Sequence, residues 1–294
     1  MKKLLACLLT IVSAMLLASC QPSNEAKNPR VKLASLEKMI EHKFERFPVL
    51  EYHHIKRPEA RWSRTPENFR NDLQWLYDHN YYPVNLKDVL TGFEGLPEGK
   101  VPVVLTFDDS PANQYRYLED GTLDPECAVG IIKAFHEKHS DDWPMRATFF
   151  ILIRTNDKNK NAFGHPERLK QLVDWGMEIG GHCYSHERLS EISTEAARYT
   201  LARASKAIEE LSGQRPVSMA TPMGLYPKDE SVFSGKYQSI EYDYKLVCEV
   251  AGGFQPVPWS KNFNPLHINR IQAIDSEWQR FFYNNSKAPH KLRN

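Results

Sequence analysis

Two adjacent carboxylates follow a strongly apolar stretch of this chain. The segment VPVVLTFDDSP runs from Val101 to Pro111, and Asp108 and Asp109 stand where its apolar run ends. Neighbouring carboxylates repel each other unless a positive charge lies beside them. A surface turn or a helix N-cap would also account for the pair, because DDSP has turn chemistry. A bound cation is the other explanation.

Two histidines with a suitable spacing occur further along. In GGHCYSHERLS, His182 and His186 are four residues apart, a spacing that puts two imidazoles on one face of a helical turn. Two imidazoles and one carboxylate leave open positions on a zinc-like ion, as catalytic sites do. The second carboxylate then stays free to take a proton from an attacking water. This combination favours metal-assisted hydrolysis.

Buried strands that alternate with amphipathic helices must hold these residues. Thr65 and Pro66 predict the start of one helix, and Gly213 predicts the end of another. The alternation predicts an α/β fold, a distorted (β/α) barrel of about seven parallel strands. In such a barrel, functional residues collect at the carboxyl ends of the strands. The predicted strands lie in FPVLEYHHI, VPVVLTF, RATFFILI, MEIGGH, PVSMATP, YKLVCEV and INRIQ.

Composition excludes some classes of partner. The 294 residues carry 38 basic and 37 acidic side chains, a net charge of +1, so no nucleic-acid partner is expected. The amino terminus has two lysines and an apolar run from Leu4 to Ala18, which is too short to span a bilayer comfortably and predicts a secretory signal. Cys127, Cys183 and Cys248 remain in the domain, an odd number that implies no complete disulfide framework.

The end of the signal indicates a lipid anchor. Leu17-Ala18-Ser19-Cys20 resembles the bacterial lipobox, which implies lipidation at Cys20 and anchoring to a membrane of the cell envelope. Gln21 follows, which permits the outer membrane or its periplasmic face. We expect a signal with its lipidation cysteine in residues 1–20, a tether with a short leading helix in 21–45, and one catalytic domain in 46–294.

LTFDDSP and GGHCYSHERLS resemble the first and second motifs of the polysaccharide deacetylases, carbohydrate esterase family four, and the resemblance extends over about 47–271. It implies removal of acetyl groups from an envelope or matrix polysaccharide. An N-acetylated polymer is the first expectation, and an O-acetylated polymer is the alternative. By the same resemblance Asp108 is the catalytic base. Asp109, His182 and His186 hold a divalent metal, Zn²⁺ first, with Co²⁺ and Ni²⁺ as alternatives.

The TPMGLY segment resembles the substrate loop of this family. Pro222, Met223 and Gly224 occupy the positions of this loop, and the resemblance implies that the backbone N–H of Met223 helps hold an oxyanion. Thr221 and Met223 depart from the family pattern, and no arginine stands at position 221 to orient Asp108. This departure supports a different function, a degenerate lipoprotein that binds glycan or metal without turnover.

The general acid has two candidates. FPVLEYHHI resembles the amino-terminal strand of the branch that deacetylates poly-N-acetylglucosamine, which implies that His53 is the acid. His267 stands at the start of its predicted strand, the rim opposite the metal, and His54 should point away from His53 by strand alternation. Four tryptophans are candidates for stacking on sugar rings: Trp75, Trp143, Trp175 and Trp259.

Overall fold

A closed barrel forms the centre of the protein. A computed structural model describes residues 44–154, 161–285 and 288–289, and within them seven parallel strands close on themselves. The first strand pairs with both the second and the last, which completes the ring. The predicted (β/α) barrel is confirmed, and each predicted segment supplies one strand. The strands are β1 (Val49–Tyr52), β2 (Val101–Phe107), β3 (Thr148–Ile151), β4 (Glu178–Gly181), β5 (Ser218–Ala220), β6 (Leu246–Gly252) and β7 (Ile268–Gln272).

Shorter strands form further pairings outside the closed ring. Tyr81–Val84 pairs in parallel with the amino-terminal half of β2. Arg46–Phe47 pairs with Gln255–Pro256, and a hairpin joins Ser234–Tyr237 to Ile240–Asp243. Directly after β1, His54–Ile55 pairs with Ser63–Arg64, so the intervening loop returns to the end of β1.

Helices cover the barrel where capping and periodicity predict them. The first helix begins at Pro66, and the Thr65 hydroxyl accepts a hydrogen bond from the Asn68 N–H at 3.2 Å. The long fourth helix ends at Gly213, whose φ of 74° requires the left-handed region. The helices are α1 (Pro66–Asp78), α2 (Ala128–His139), α3 (Pro166–Asp174), α4 (Thr194–Ser212) and α5 (Asp275–Trp278), and a π-helical turn (Gln279–Tyr283) follows α5. Single 3₁₀ turns lie at Leu86–Thr91, Ala112–Gln114, Ser140–Asp142, Leu189–Glu191, Pro222–Gly224 and Glu230–Phe233.

Alternate residues of each strand face opposite sides of the barrel wall. Val49 and Val104 belong to the apolar cluster inside the barrel, together with Phe150, Leu246 and Ile268. Their neighbours in sequence pack outward against the helices, as Leu50 and Leu105 do against Phe69 and Leu73 of α1. This alternation decides which residues at the strand ends turn into the barrel mouth.

Several predictions fall on residues outside the described ranges. The signal, Cys20, nearly all of the tether and the leading helix lie there. Among the described residues, no helix combines the length and apolar character needed to cross a membrane. Cys127, Cys183 and Cys248 are buried thiols that form no disulfide, in agreement with the cysteine count.

Candidate active site

One pocket of about 270 Å³ lies at the carboxyl ends of the barrel strands. It collects His53 after β1, Asp108 and Asp109 after β2, and His182 and His186 after β4. The sequence therefore identified residues that meet in space although 133 positions separate His53 from His186. The pocket is also lined by Glu51, His54, Trp62, Thr221, Met223 and Val250.

Asp109, His182 and His186 form a group suited to a cation. Asp109 Oδ1 lies 3.2 Å from Nε2 of His182 and 3.2 Å from Nε2 of His186. Nδ1 of His182 donates to the Ala220 carbonyl at 2.9 Å, since a carbonyl can only accept, and Nε2 of the neutral ring therefore presents its lone pair. Asp109 Oδ1 is buried without a hydrogen-bond partner among the described residues. A carboxylate oxygen that lies 3.2 Å from two imidazole nitrogens fits a divalent ion.

Backbone strain explains how two adjacent aspartates face the same pocket. Strand alternation would direct Asp109 away from the side that Asp108 faces. Asp109 and Ser110 instead adopt φ values of 68° and 58°, which turn the chain back, and the Ser110 hydroxyl accepts from the Leu152 N–H at 2.9 Å. Cys183 and His186 are also left-handed, with φ of 57° and 65°. Strained residues of this kind cluster at functional sites.

Asp108 is held by an arginine that the sequence reasoning missed. Nη1 and Nη2 of Arg270, on β7, donate to Oδ1 and Oδ2 of Asp108, each at 2.8 Å. Burial raises the pKa of Asp108, but the charge and hydrogen bonds of Arg270 outweigh burial and hold this pKa below its usual value. Arg270 therefore orients Asp108 although position 221 carries no arginine.

The position of Arg270 follows from the pattern of β7. Ile268 belongs to the interior cluster, so Arg270, two residues on, also faces the barrel interior. A buried arginine needs a carboxylate partner, and an arginine inside an apolar strand could have signalled one. The threonine at position 221 instead donates its hydroxyl to the Cys248 carbonyl at 3.4 Å.

His53 and His267 occupy different surroundings. Nε2 of His53 lies 3.8 Å from Asp109 Oδ2, and burial lowers the pKa of its imidazole despite the nearby aspartates. His267 bonds to Glu249 at 2.6 Å and Glu230 at 2.9 Å and is absent from the described residues that line the pocket. His54, expected to point away, also lines the pocket, because its chain turns after β1 and its Nδ1 bonds to Asn113 at 3.2 Å.

The tryptophan that borders the pocket is not among those selected from the sequence. Trp143 is fully buried, and Trp75, Trp175 and Trp259 pack against the apolar clusters. Trp62 is 39% exposed, lines the pocket and packs against the His53 ring, with centroids 4.6 Å apart. It lies in the polar stretch RPEARWSR, where a large aromatic residue outside any apolar run was the available signal.

The TPMG segment forms a tight turn beside the pocket. Met223 has φ of 58° and is 54% exposed, while the Gly224 N–H donates to the Thr221 carbonyl at 3.0 Å. A Cβ at Gly224 would lie 2.9 Å from Val250 Cγ2, so this position requires glycine. Met223 and Thr221 line the pocket, whereas Pro222 and Gly224 shape the turn behind them.

The chain is similar to known deacetylases. Residues 96–236 match the family model for polysaccharide deacetylase. Over 171 residues the chain is 27% identical to peptidoglycan-N-acetylglucosamine deacetylase of Bacillus cereus, a match that covers 53% of this chain and 54% of that protein. The chain thus spans about half the length of this curated relative.

Solved structures share the fold. Streptococcus pyogenes deacetylase PplD has a TM-score of 0.60 at 21% identity, covering 78% of this chain and 92% of that chain. IcaB from Ammonifex degensii has a TM-score of 0.57 at 17% identity, covering 84% and 97%. The family match includes Asp108, Asp109, His182 and His186 but ends short of His53 and His54. Residues 96–236 therefore make up a domain of the polysaccharide deacetylase family.

Proposed function

We propose that this protein is a metal-dependent hydrolase that removes acetyl groups from an N-acetylated polysaccharide. The observation that carries the proposal is the contrast between the two neighbouring aspartates. Asp108 is paired with Arg270, whereas Asp109 presents a buried, unpartnered oxygen to His182 and His186. One carboxylate is prepared for proton transfer and the other for a cation.

Asp109, His182 and His186 would hold the ion, with Zn²⁺ the first choice and Co²⁺ or Ni²⁺ as alternatives. When bound, a divalent ion supplies Lewis-acid polarisation of the acyl oxygen and stabilises its developing negative charge. The backbone N–H of Met223 would donate to the same oxygen. Because Met223 lies in a tight turn, this donor is held in place before substrate arrives.

Asp108 and His53 would move the protons. Asp108 accepts a proton from the attacking water as the new carbon–oxygen bond forms. His53 donates a proton to the amine nitrogen as the carbon–nitrogen bond breaks, because an amine leaves poorly until it is protonated. An oxygen of Asp108 and a ring nitrogen of His53 lie within 4.8 Å of each other, which supports a joint role.

The mouth of the pocket supports a sugar substrate. Trp62 and Met223 are both exposed apolar side chains beside the polar floor. Such a border can contact the apolar face of a pyranose while the carboxylates and imidazoles meet its acetamido group. The Bacillus cereus relative is a peptidoglycan-N-acetylglucosamine deacetylase, so we propose a polymer that contains N-acetylglucosamine. The degenerate alternative loses part of its support, because Arg270 orients Asp108 although position 221 carries no arginine.

Acetate release tests the proposal. The protein would be stripped of metal with a chelator, then assayed on N-acetylglucosamine oligomers with and without added Zn²⁺ or Co²⁺. We expect release only with metal, and none from the His182→Ala, His186→Ala double variant. An O-acetylated xylan measured in parallel identifies the linkage. Equal release by the double variant, or no release with any metal, would contradict the proposal.

We further propose that Cys20 carries lipid and anchors the protein in the bacterial cell envelope, at the outer membrane or its periplasmic face. The LASC sequence and the polar tether after it support this. Cys20→Ser should shift the protein from the membrane fraction to the soluble fraction or stall signal removal. Fractionation identical to the wild type would exclude the anchor.

A further inference from the structure

Arg270 donates a hydrogen bond from each of its five N–H groups. Two go to Asp108 at 2.8 Å, and Nε donates to the Glu249 carbonyl at 2.5 Å. Nη1 also donates to the Thr106 hydroxyl at 3.2 Å. The fifth acceptor is Glu51 Oε1, 2.9 Å from Nη2. Glu51 thus completes the set of acceptors that a guanidinium can use.

Glu51 has almost no access to bulk solvent. Its side chain is 1% exposed, and the Arg270 side chain is 0% exposed. Two ionised carboxylates on one buried guanidinium would leave an uncompensated negative charge. Burial raises the pKa of Glu51 to about 8, with Arg270 opposing and Asp108 reinforcing the rise. An uncharged carboxyl group still has an oxygen that accepts from Nη2.

We propose that Glu51 is a positioning residue that fixes the Arg270 guanidinium in the orientation that presents Asp108 to the pocket. This inference rests on the proposed function of Asp108. Nη2 serves both Glu51 and Asp108 Oδ2, so the bond to Glu51 fixes the nitrogen that orients the base. Without that acceptor, Nη2 keeps one unsatisfied buried donor, and the guanidinium turns to satisfy it.

Three variants separate a hydrogen-bonding role from a charged role. Glu51→Met removes the acceptor and keeps the side-chain volume, whereas Glu51→Ala removes both. Glu51→Gln keeps an acceptor oxygen without a titratable group. We expect kcat of Glu51→Met to fall by about 10²-fold, the effect of a small misplacement of a catalytic group, with KM and metal content unchanged. Glu51→Gln should stay within about threefold of the wild type, because its amide oxygen replaces the acceptor.

Glu178 provides the matched control. It is another buried glutamate inside the barrel wall, where it accepts from Ser218 at 2.6 Å and Thr148 at 2.9 Å, and it is absent from the described pocket lining. Glu178→Met should lower the melting temperature without changing kcat per folded molecule. If Glu51→Met behaves like Glu178→Met, Glu51 is merely structural and the proposal is overturned.

Two further outcomes decide the proposal. A loss in Glu51→Gln as large as in Glu51→Met would mean that the charge acts, and would overturn it. Should the wild type release no acetate, the proposed function fails, and crystal structures of the variants then decide. We expect the hydrogen bonds between Arg270 and Asp108 to be lost in Glu51→Met and Glu51→Ala but retained in Glu51→Gln. An unmoved Arg270 in all three contradicts the inference.

Discussion

Two consecutive residues of β1 face two different buried arginine–aspartate pairs. Glu51 points into the barrel and accepts from Arg270, which binds Asp108 through both carboxylate oxygens. Tyr52 points outward and donates to Asp72 at 3.1 Å, and Asp72 is bound by Arg64 at 2.6 and 2.9 Å. We call these the inner pair (Asp108–Arg270) and the outer pair (Asp72–Arg64).

The pairs share their chemistry and differ in what borders the carboxylate. In the outer pair, Asp72 Oδ2 accepts from both Arg64 and Tyr52, and Arg64 also binds Glu59 and Asp275, each at 2.6 Å. These contacts join the loop after β1 to α1 and α5. In the inner pair, Asp108 lines the pocket. The same ion pair therefore serves as a structural link outside the barrel and as a held base inside it.

Removing each arginine tests this difference most strongly. Arg270→Met and Arg64→Met each leave a buried carboxylate without its partner, which should cost about 3–5 kcal/mol of the free energy of unfolding. Turnover per folded molecule should fall by about 10²–10⁴ in Arg270→Met, because Asp108 takes up a proton and no longer acts as a base. It should be unchanged in Arg64→Met. Urea unfolding and acetate release would be measured together, and equal activity losses would break the comparison.

We expect His53 to be needed for turnover, as Asp108 of the inner pair is. We expect His53→Ala to lower turnover by about a hundredfold with metal content unchanged, because the leaving amine loses its proton donor. His54→Ala is the matched control, since its ring bonds to Asn113 and should matter less. Acetate release by both variants, with elemental analysis, checks this. A larger loss in His54→Ala than in His53→Ala would exchange their roles.

His267 lies in a third charged cluster and should give the smallest effect. Burial lowers the pKa of His267, but its hydrogen bonds to Glu249 and Glu230 outweigh burial and raise it above the ordinary value. A raised pKa stabilises the fold below about pH 6.5, and this contribution disappears as the pH rises through the raised value.

Comparison of His267→Ala with the wild type measures that contribution. Near pH 5.5 the variant should have a free energy of unfolding lower by about 0.2–1 kcal/mol, and the difference should shrink by about pH 9. Its turnover should stay close to the wild type. A difference that grows with pH would contradict this account, and a hundredfold loss of turnover would make His267 the general acid.

The inner pair marks the limit of what the sequence could predict. Asp108, Asp109, His182 and His186 were identified because their spacing and position after apolar strands are local signals. The strands and helices were also predictable, because apolar runs and capping residues depend only on residues that are close in sequence. Arg270 was missed because its partner lies 162 residues away, and only barrel closure brings β7 beside β1, the neighbour of β2.

Trp62 shows a second limit. The four tryptophans selected from the sequence serve the apolar core, as Trp143 does at 0% exposure. Trp62 reaches the pocket because the loop after β1 folds back, with the His54 N–H donating to the Trp62 carbonyl at 3.0 Å. The path of an irregular loop depends on contacts such as those of Arg64 with Asp72 and Glu59, which no local pattern encodes.

The central claim is that the two adjacent aspartates have different roles, Asp108 as the base and Asp109 as a metal ligand. Metal analysis and acetate release, measured in parallel on Asp108→Asn and Asp109→Asn, test this claim most directly. We predict that Asp108→Asn retains one ion per chain while turnover falls by about 10²–10⁴, because the amide cannot accept a proton. Asp109→Asn should lose both the ion and turnover. Loss of the ion from Asp108→Asn, or an Asp109→Asn variant that keeps both the ion and turnover, would contradict the account.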